Sequence, residues 1–453
     1  MAKPSYGDIF DLSIDGIAFG GFGVAHENGN TFFVRMGYPP EKVRAKVFKR
    51  KRGVTFAEAI EVLEPAAFRR LPPCPVFGQC GGCSWQDIHY DNQFDFKKTT
   101  VLDSFRRIGH LDNTPDPIEI HAKSEFRYRN KMELTFGEDD YGRTFLGQHL
   151  RGRYDRLVPT GECLLMPEEG NRIIRAVEKA AIDSGLRPYN SRNDSGVLRN
   201  LMLRFSHTHG DYLAIVTVRK PIPRAVQDIL EAAAKAAPLM SGGAMIVNQR
   251  TGGSSQGELE PMMGKGYITE EMLGIEFIIS PTSFFQTNTV MAREFYGHII
   301  DFAELAGDET VLDLYCGTGT IAQFFAKKAA HVIGLESVAS AVEDGRKSAE
   351  RNGISNVEFI AGTVEKTLSN IFDRYSPDIL VMDPPRSGVS KKSLIEIMEQ
   401  KPPVIIYASC NPTTLARDIE ILSPLYSFDK LAIVDMFPQT YHIESITRLN
   451  LIT

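Results

Sequence analysis

Asp313-Leu-Tyr-Cys-Gly-Thr-Gly-Thr320 follows an apolar run that starts at Val311 and leads into a helical pattern. An apolar run, a glycine turn and then a helix open a parallel βαβ unit. The two glycines let the backbone approach a ligand closely. Further apolar runs follow at 332–336, 357–360, 379–383 and 404–409, with helical stretches between them at 340–352 and 391–400. This alternation predicts a doubly wound, Rossmann-like parallel sheet over residues 276–453. Sheets of this class bind ligands at the carboxyl ends of their strands.

The motifs at those strand ends carry the chemistry. The loop at 317–319 is Gly-X-Gly and lacks the third glycine of the dinucleotide fingerprint. The second strand ends in Glu336, where an acid can hydrogen-bond ribose hydroxyls. The third is followed by Gly362 and Thr363, near where an adenine edge would lie. Together these favour S-adenosylmethionine over a nicotinamide cofactor. The fourth strand ends in Asp383-Pro-Pro-Arg386, and the paired prolines stiffen the loop. Methyltransferases acting on amino nitrogens often carry an aromatic residue after the prolines, but Arg386 stands here. The fifth strand ends in Ala408-Ser-Cys-Asn-Pro412, which places Cys410 where such a sheet presents its substrate.

A thiolate that adds to C6 of uracil turns C5 into an enolate-like carbon able to attack a sulfonium methyl. The C5 proton must then leave. Glu444, in Tyr441-His-Ile-Glu-Ser445, is the candidate base, and alternation along a strand would set His442, a weaker alternative, on the same side. A lone cysteine at a strand end is more often a packed core residue, and a glutamate near a chain end is more often solvated. The company of the other motifs favours the chemical reading.

Upstream the chain divides into two further regions. At 453 residues it is long enough for about three units. Residues 1–66 read as a small β-barrel in which Lys42-Val-Arg-Ala-Lys-Val47 alternates basic with apolar residues. Seven of the eleven residues from Lys42 to Arg52 are basic, which points to phosphate contact despite a net charge of −6. Residues 67–275 are mixed α and β. A helix is expected near 93–109. Phe126-Arg-Tyr-Arg-Asn-Lys131 and Arg151-Gly-Arg-Tyr-Asp-Arg156 interleave arginine with tyrosine, as RNA-binding surfaces do. Met1-Ala-Lys-Pro-Ser-Tyr6 leads into no long apolar run, so neither a leader nor a membrane span is expected, and the expected compartment is the cytoplasm.

Three of the six cysteines fall in Cys74-X5-Cys80-Gly-Gly-Cys83, and Cys163 lies apart. Such a set can make a four-thiolate site for an iron–sulfur cluster or zinc. The five-residue gap and the unpaired fourth ligand favour iron–sulfur over the paired cysteines of zinc sites.

These residues together resemble the bacterial RNA 5-methyluridine (uracil-C5) methyltransferases, over essentially the whole chain. The matching pieces include the cysteine loop with Trp85-Gln86 and Tyr90, Tyr128-Arg-Asn-Lys131 and Phe284-Phe-Gln286. Asp313-Leu-Tyr-Cys-Gly317, Asp383-Pro-Pro-Arg386, Ser409-Cys-Asn-Pro412 and His442-Ile-Glu444 complete the set. The resemblance implies an OB-like TRAM barrel at 1–66 and an iron–sulfur, RNA-binding domain at 67–275. It implies a class I methyltransferase domain at 276–453, with the segment near 93–124 packing against it. It implies a 4Fe–4S cluster on Cys74, Cys80, Cys83 and Cys163. It also implies a cofactor site including Gln286, Tyr315, Thr320, Glu336, Thr363 and Asp383, with Cys410 as nucleophile and Glu444 as base. Relatives often have asparagine where Thr320 and Thr363 stand. Members with both a TRAM domain and a cluster mostly modify 23S ribosomal RNA, which makes that RNA the expected partner and transfer RNA the alternative. No membrane or obligate protein partner is expected.

Three other classes fit less well. Radical methylthiotransferases use Cys-X3-Cys-X2-Cys, which the X5 spacing and fourth cysteine disfavour. An RNA-binding or folding factor with incidental methylation would not need all three strand-end loops and Cys410. RNA cytosine-C5 methyltransferases carry their cysteines in Pro-Cys and Thr-Cys motifs.

Overall fold

The computed structural model describes residues 3–250 and 257–452. Met1 and Ala2, where the reading of the N-terminus begins, and Thr453, the end assigned to the last unit, lie outside the described residues.

Parallel pairing links Thr310–Leu314 to His331–Glu336 on one side and to Ile379–Met382 on the other. Val357–Ala361 extends the sheet beyond His331–Glu336, and Val404–Ser409 extends it beyond Ile379–Met382. Along each strand alternate residues enter opposite cores: Val311 and Val381 face one, Leu312 and Leu380 the other. Both faces are covered by helices, which is why these strands read as unbroken apolar runs rather than alternating ones.

The sheet is not wholly parallel. Glu444–Leu451 inserts antiparallel between Val404–Ser409 and Tyr426–Val434. A parallel neighbour would need a crossover of a dozen or more residues. Only residues 435–443 join the last two strands, so they form a hairpin. Ile118–Ile120 adds an eighth strand beside Tyr426–Val434. The Tyr90–Arg107 helix, starting three residues earlier than the sequence suggested, sends Phe94, Val101 and Phe105 into the second core.

A seven-stranded sheet spans residues 131–263, with the Glu168–Asp183 and Pro223–Ala236 helices burying Ile173, Val177, Val226 and Leu230 against it. Residues 9–64 form a six-stranded sheet around Leu12, Phe32, Val34, Val43 and Val47. On its Lys42–Lys51 strand, Val43, Ala45 and Val47 are buried as alternation requires. The cationic face is narrower than expected. Arg44 pairs with Asp11 and Glu61, and Lys42 faces Glu64, because neighbouring strands carry acids in register. The exposed cations are Lys46 and Lys49 to Arg52. Among the described residues no helix is long and apolar enough to cross a membrane.

Among the described residues one ion pair is wholly buried. Lys97 Nζ donates to Asp435 Oδ1 at 2.7 Å and to the Phe437 carbonyl at 3.1 Å, with both side chains fully shielded. Breaking one side leaves an uncompensated buried charge, which costs about 3–5 kcal/mol. Lys97→Met is expected to lower the urea midpoint accordingly, and Lys97→Met combined with Asp435→Asn to regain much of the loss. A single variant as stable as the parent would refute the assignment.

Candidate active site

An open cleft of about 750 Å³ lies at the carboxyl ends of the strands. The glycine loop forms one wall. Tyr315, Gly317 and Gly319 all adopt positive φ there. The requirement for glycine is strongest at 319, where a Cβ would sit 2.2 Å from the Phe359 ring. At 317 a Cβ would meet nothing within 4 Å. Gly319 therefore seats the Thr320–Ala326 helix against Phe359 of the Val357–Ala361 strand, while at 317 the positive φ alone favours glycine. Glu336 accepts hydrogen bonds from the Gly317 and Val338 amides at 3.1 and 2.8 Å, holding this loop from behind.

The opposite wall is the Phe284-Phe-Gln286 segment. Asn130, from Tyr128-Arg-Asn-Lys131, donates to the Gln286 carbonyl at 2.8 Å and to Thr289 Oγ1 at 2.7 Å. Asn130 thus positions the wall without lining the cleft itself. Phe284 projects at the mouth, 77% exposed.

Cys410 directly follows the Val404–Ser409 strand and lines the cleft with Asp383, Arg386, Phe437 and Glu444. Asn411 caps the following helix, its Oδ1 accepting from the Thr413 amide at 3.1 Å. Its Nδ2 donates to the Arg386 carbonyl at 2.9 Å, tying the cysteine loop to the Pro-Pro turn. Burial, and then the nearby Glu444 charge, push the Cys410 thiol up to about 11, while Arg386 pulls it back. Loss of solvent lifts Asp383 to about 7. Burial, reinforced by Asp383, holds Glu444 well above the usual carboxylate range. His442 does not share a strand with Glu444. It lies in the preceding turns, near Arg386, and burial with surrounding cations lowers it to about 4.

Of the expected residues, Gln286, Tyr315, Thr320, Asp383, Cys410 and Glu444 line this one cleft. Glu336 and Thr363 are outside its lining, Thr363 being exposed at the start of the Val364–Tyr375 helix. Asp313 was read only as part of the loop motif. It is fully buried beneath the cleft, and burial and Asp383 raise its pKa strongly although the Ala322 amide opposes them. Its place at a strand end before the glycines was the available signal.

Away from the cleft, Cys74, Cys80, Cys83 and Cys163 line one enclosed cavity of about 60 Å³ with Phe77, Met132, Leu165 and Arg129. None forms a disulfide. Burial raises Cys80, Cys83 and Cys163, Cys83 to about 12, and each senses other cysteines of the set. The Gly82 amide donates to Cys80 Sγ at 3.3 Å. Four soft sulfur donors facing one cavity suit a thiophilic metal group. Among the described residues, no three His, Cys, Asp or Glu side chains meet as a site for a single ion.

Residues 262–451 match the family model described as tRNA (Uracil-5-)-methyltransferase. An uncharacterized RNA methyltransferase of Caldanaerobacter subterraneus is 37% identical over 98% of this chain and 99% of its own length. One from Halalkalibacterium halodurans is 35% identical over 100% and 99%. The structure of Pyrococcus abyssi tRNA (uracil-54, C5)-methyltransferase, in complex with S-adenosyl-L-homocysteine, superposes with a TM-score of 0.77 at 24% identity. It covers 97% of this chain and 99% of that one, and it shares the class I methyltransferase fold.

Left-handed φ costs a non-glycine residue about 1–2 kcal/mol. Gly317→Ala should lower the urea midpoint by about that much, and Gly319→Ala by clearly more because it also strikes Phe359. Equal losses would show that the Phe359 contact does not matter.

Proposed function

We propose that this chain, which belongs to the RNA (uracil-5-)-methyltransferase family and methylates C5 of uridine in RNA from S-adenosylmethionine, works through a covalent Cys410–C6 bond with Glu444 as base. The observation that carries the reading is the convergence of Cys410, Glu444, Asp383 and the glycine loop on one cleft. Its volume is in the range of small-molecule sites, with room to admit a nucleoside beside a base.

S-adenosylmethionine, held by the glycine loop with Tyr315, Thr320, Gln286 and Asp383, supplies a methyl group on a positive sulfur. Cys410 gives up its proton to water in the open cleft, the thiolate being favoured by Arg386, and its sulfur bonds to C6 as the C5=C6 π pair moves onto C5 and O4. C5 then takes the methyl carbon, and the departing sulfur keeps the bonding pair as a neutral thioether. The C5 proton passes to the Glu444 carboxylate, the double bond re-forms, and Cys410 leaves as thiolate. The burial that raises Glu444 makes its carboxylate a stronger base once formed. His442, held mainly neutral and facing Arg386, is the poorer candidate. Glu336 supports this site through the Gly317 amide; Thr363 would contact the adenosine only from the rim.

The RNA surface is read from the N-terminal sheet as a TRAM-type barrel. Phe48, Phe56, Phe33 and Phe22 stand on four neighbouring strands, with Arg35 over the rings of Phe22 and Phe48. With Lys46 and Lys49 to Arg52 this gives stacking surface beside phosphate-binding charge. A paired target uridine would have to leave its duplex. The combination of this sheet with a four-cysteine unit supports 23S ribosomal RNA as the target. Transfer RNA is the second reading, supported by the likeness to the Pyrococcus abyssi transfer RNA enzyme.

Cys74, Cys80, Cys83 and Cys163 would hold a 4Fe–4S cluster, which would cross-link the cysteine loop to the segment before the Glu168–Asp183 helix. The cavity they share and the Gly82 N–H directed at Cys80 sulfur support this.

RNA carrying 5-fluorouridine should form a denaturant-resistant adduct with the wild-type protein and none with Cys410→Ala, because fluorine cannot leave as a proton. Glu444→Gln should accumulate methylated, still covalent RNA and turn over about a hundredfold or more slowly. Normal turnover by either variant would sink the mechanism. Run with 23S fragments and transfer RNA, the same assay should react with the former; reaction with transfer RNA alone would reverse the choice of target. Anaerobically purified protein should contain about four irons per chain. Stoichiometric zinc without iron would exclude the cluster.

A further inference from the structure

The nine residues 435–443 that join the last two strands include the cleft residue Phe437, lead directly into Glu444 and are held by partners distant in the chain. Asn288 Nδ2 donates to the Met436 carbonyl at 2.9 Å, and Tyr128 Oη donates to the Pro438 carbonyl at 3.0 Å. The centre of this web is Gln439. It is fully buried and, although not glycine, has φ of 67°. Its carbonyl accepts from the Ser84 and Trp85 amides at 2.8 and 3.1 Å, directly after Cys83. Its amide donates to Gln93 Oε1 at 2.8 Å, and its Oε1 accepts from Gln93 Nε2 at 3.0 Å. Its Nε2 donates to Glu125 at 3.0 Å, and Glu125 is itself paired with Arg70.

We propose that Gln439 is a positioning residue for the base, seating Glu444 by locking the 435–443 segment to the cysteine loop and the Tyr90–Arg107 helix. The inference rests on the reading of Glu444 as base. A left-handed conformation at a non-glycine residue persists only where surroundings over-determine it, and here six hydrogen bonds to five other residues, one of them from Arg70 to Gln439 Oε1 at 3.4 Å, do so. The turn that follows is stiff. Thr440 Oγ1 donates to the Phe437 carbonyl at 2.7 Å and accepts from the His442 amide at 3.2 Å. A shift at residue 439 is therefore passed to residue 444 instead of being absorbed.

Cys410 follows the Val404–Ser409 strand, outside the 435–443 segment, so loss of the Gln439 contacts should spare its attack and slow proton removal. Gln439→Met keeps the bulk and removes the amide. With this variant, adduct formation on 5-fluorouridine RNA is expected to stay within about twofold of wild type. Turnover on uridine RNA is expected to fall by about tenfold or more, with methylated covalent RNA accumulating. Parallel loss of both steps, or loss of neither, would overturn the proposal. Gln93→Met removes the same amide pair from the helix side and should give the same split. It decides the matter if Gln439→Met does not fold. Glu444→Gln runs alongside. If it turns over normally, the base assignment itself has failed. If it traps methylated RNA while Gln439→Met and Gln93→Met do not, only the positioning role of Gln439 is lost.

Discussion

The structure depends on satisfying a polar stretch of backbone that is buried without regular hydrogen bonding. Residues 435–443 run in turns beneath the cleft, and each buried N–H or C=O left unpaired there would cost free energy comparable to a lost hydrogen bond. Their partners come from far away in the chain: Lys97 and Gln93 on one helix, Ser84 and Trp85 beside the cysteines, Tyr128 in the central region and Asn288 before the Thr289–Ala303 helix. The central and C-terminal regions are thereby tied around the segment that ends in Glu444.

The same burial shapes the chemistry. Asp313, Asp383 and Glu444 share a desolvated space beneath and beside Cys410, and Arg386 is the nearby cation that opposes their effect on the thiol. Carboxyls in such company resist ionisation, and a proton taken up by one of them is held firmly. A site that must first release a thiol proton and later remove a carbon-bound one gains from groups whose charge depends on what occupies the cleft.

The core of the last domain could be read directly because its strands are apolar on both faces and its loops carry glycine and proline at fixed places. Gly319, Asp383 and Cys410 were legible for that reason. Less legible were features whose cause lies outside the local pattern. The hairpin direction of Glu444–Leu451 follows from a connection too short for a crossover. His442 left the strand because residues 435–443 are pinned elsewhere. Lys42 and Arg44 lost part of their charge to acids that become neighbours only through strand register.

By itself, then, the sequence determined the parallel sheet, the strand-end loops and the residue types able to do thiolate and carboxylate chemistry, since periodicity and turn chemistry are local. The tertiary structure alone decided which of those residues share a cleft, that Glu336 braces the glycine loop, and that Asn130 and Gln439 hold walls they do not form. Those outcomes turn on hydrogen bonds between residues up to 369 positions apart, as for Arg70 and Gln439, and no local pattern encodes such contacts.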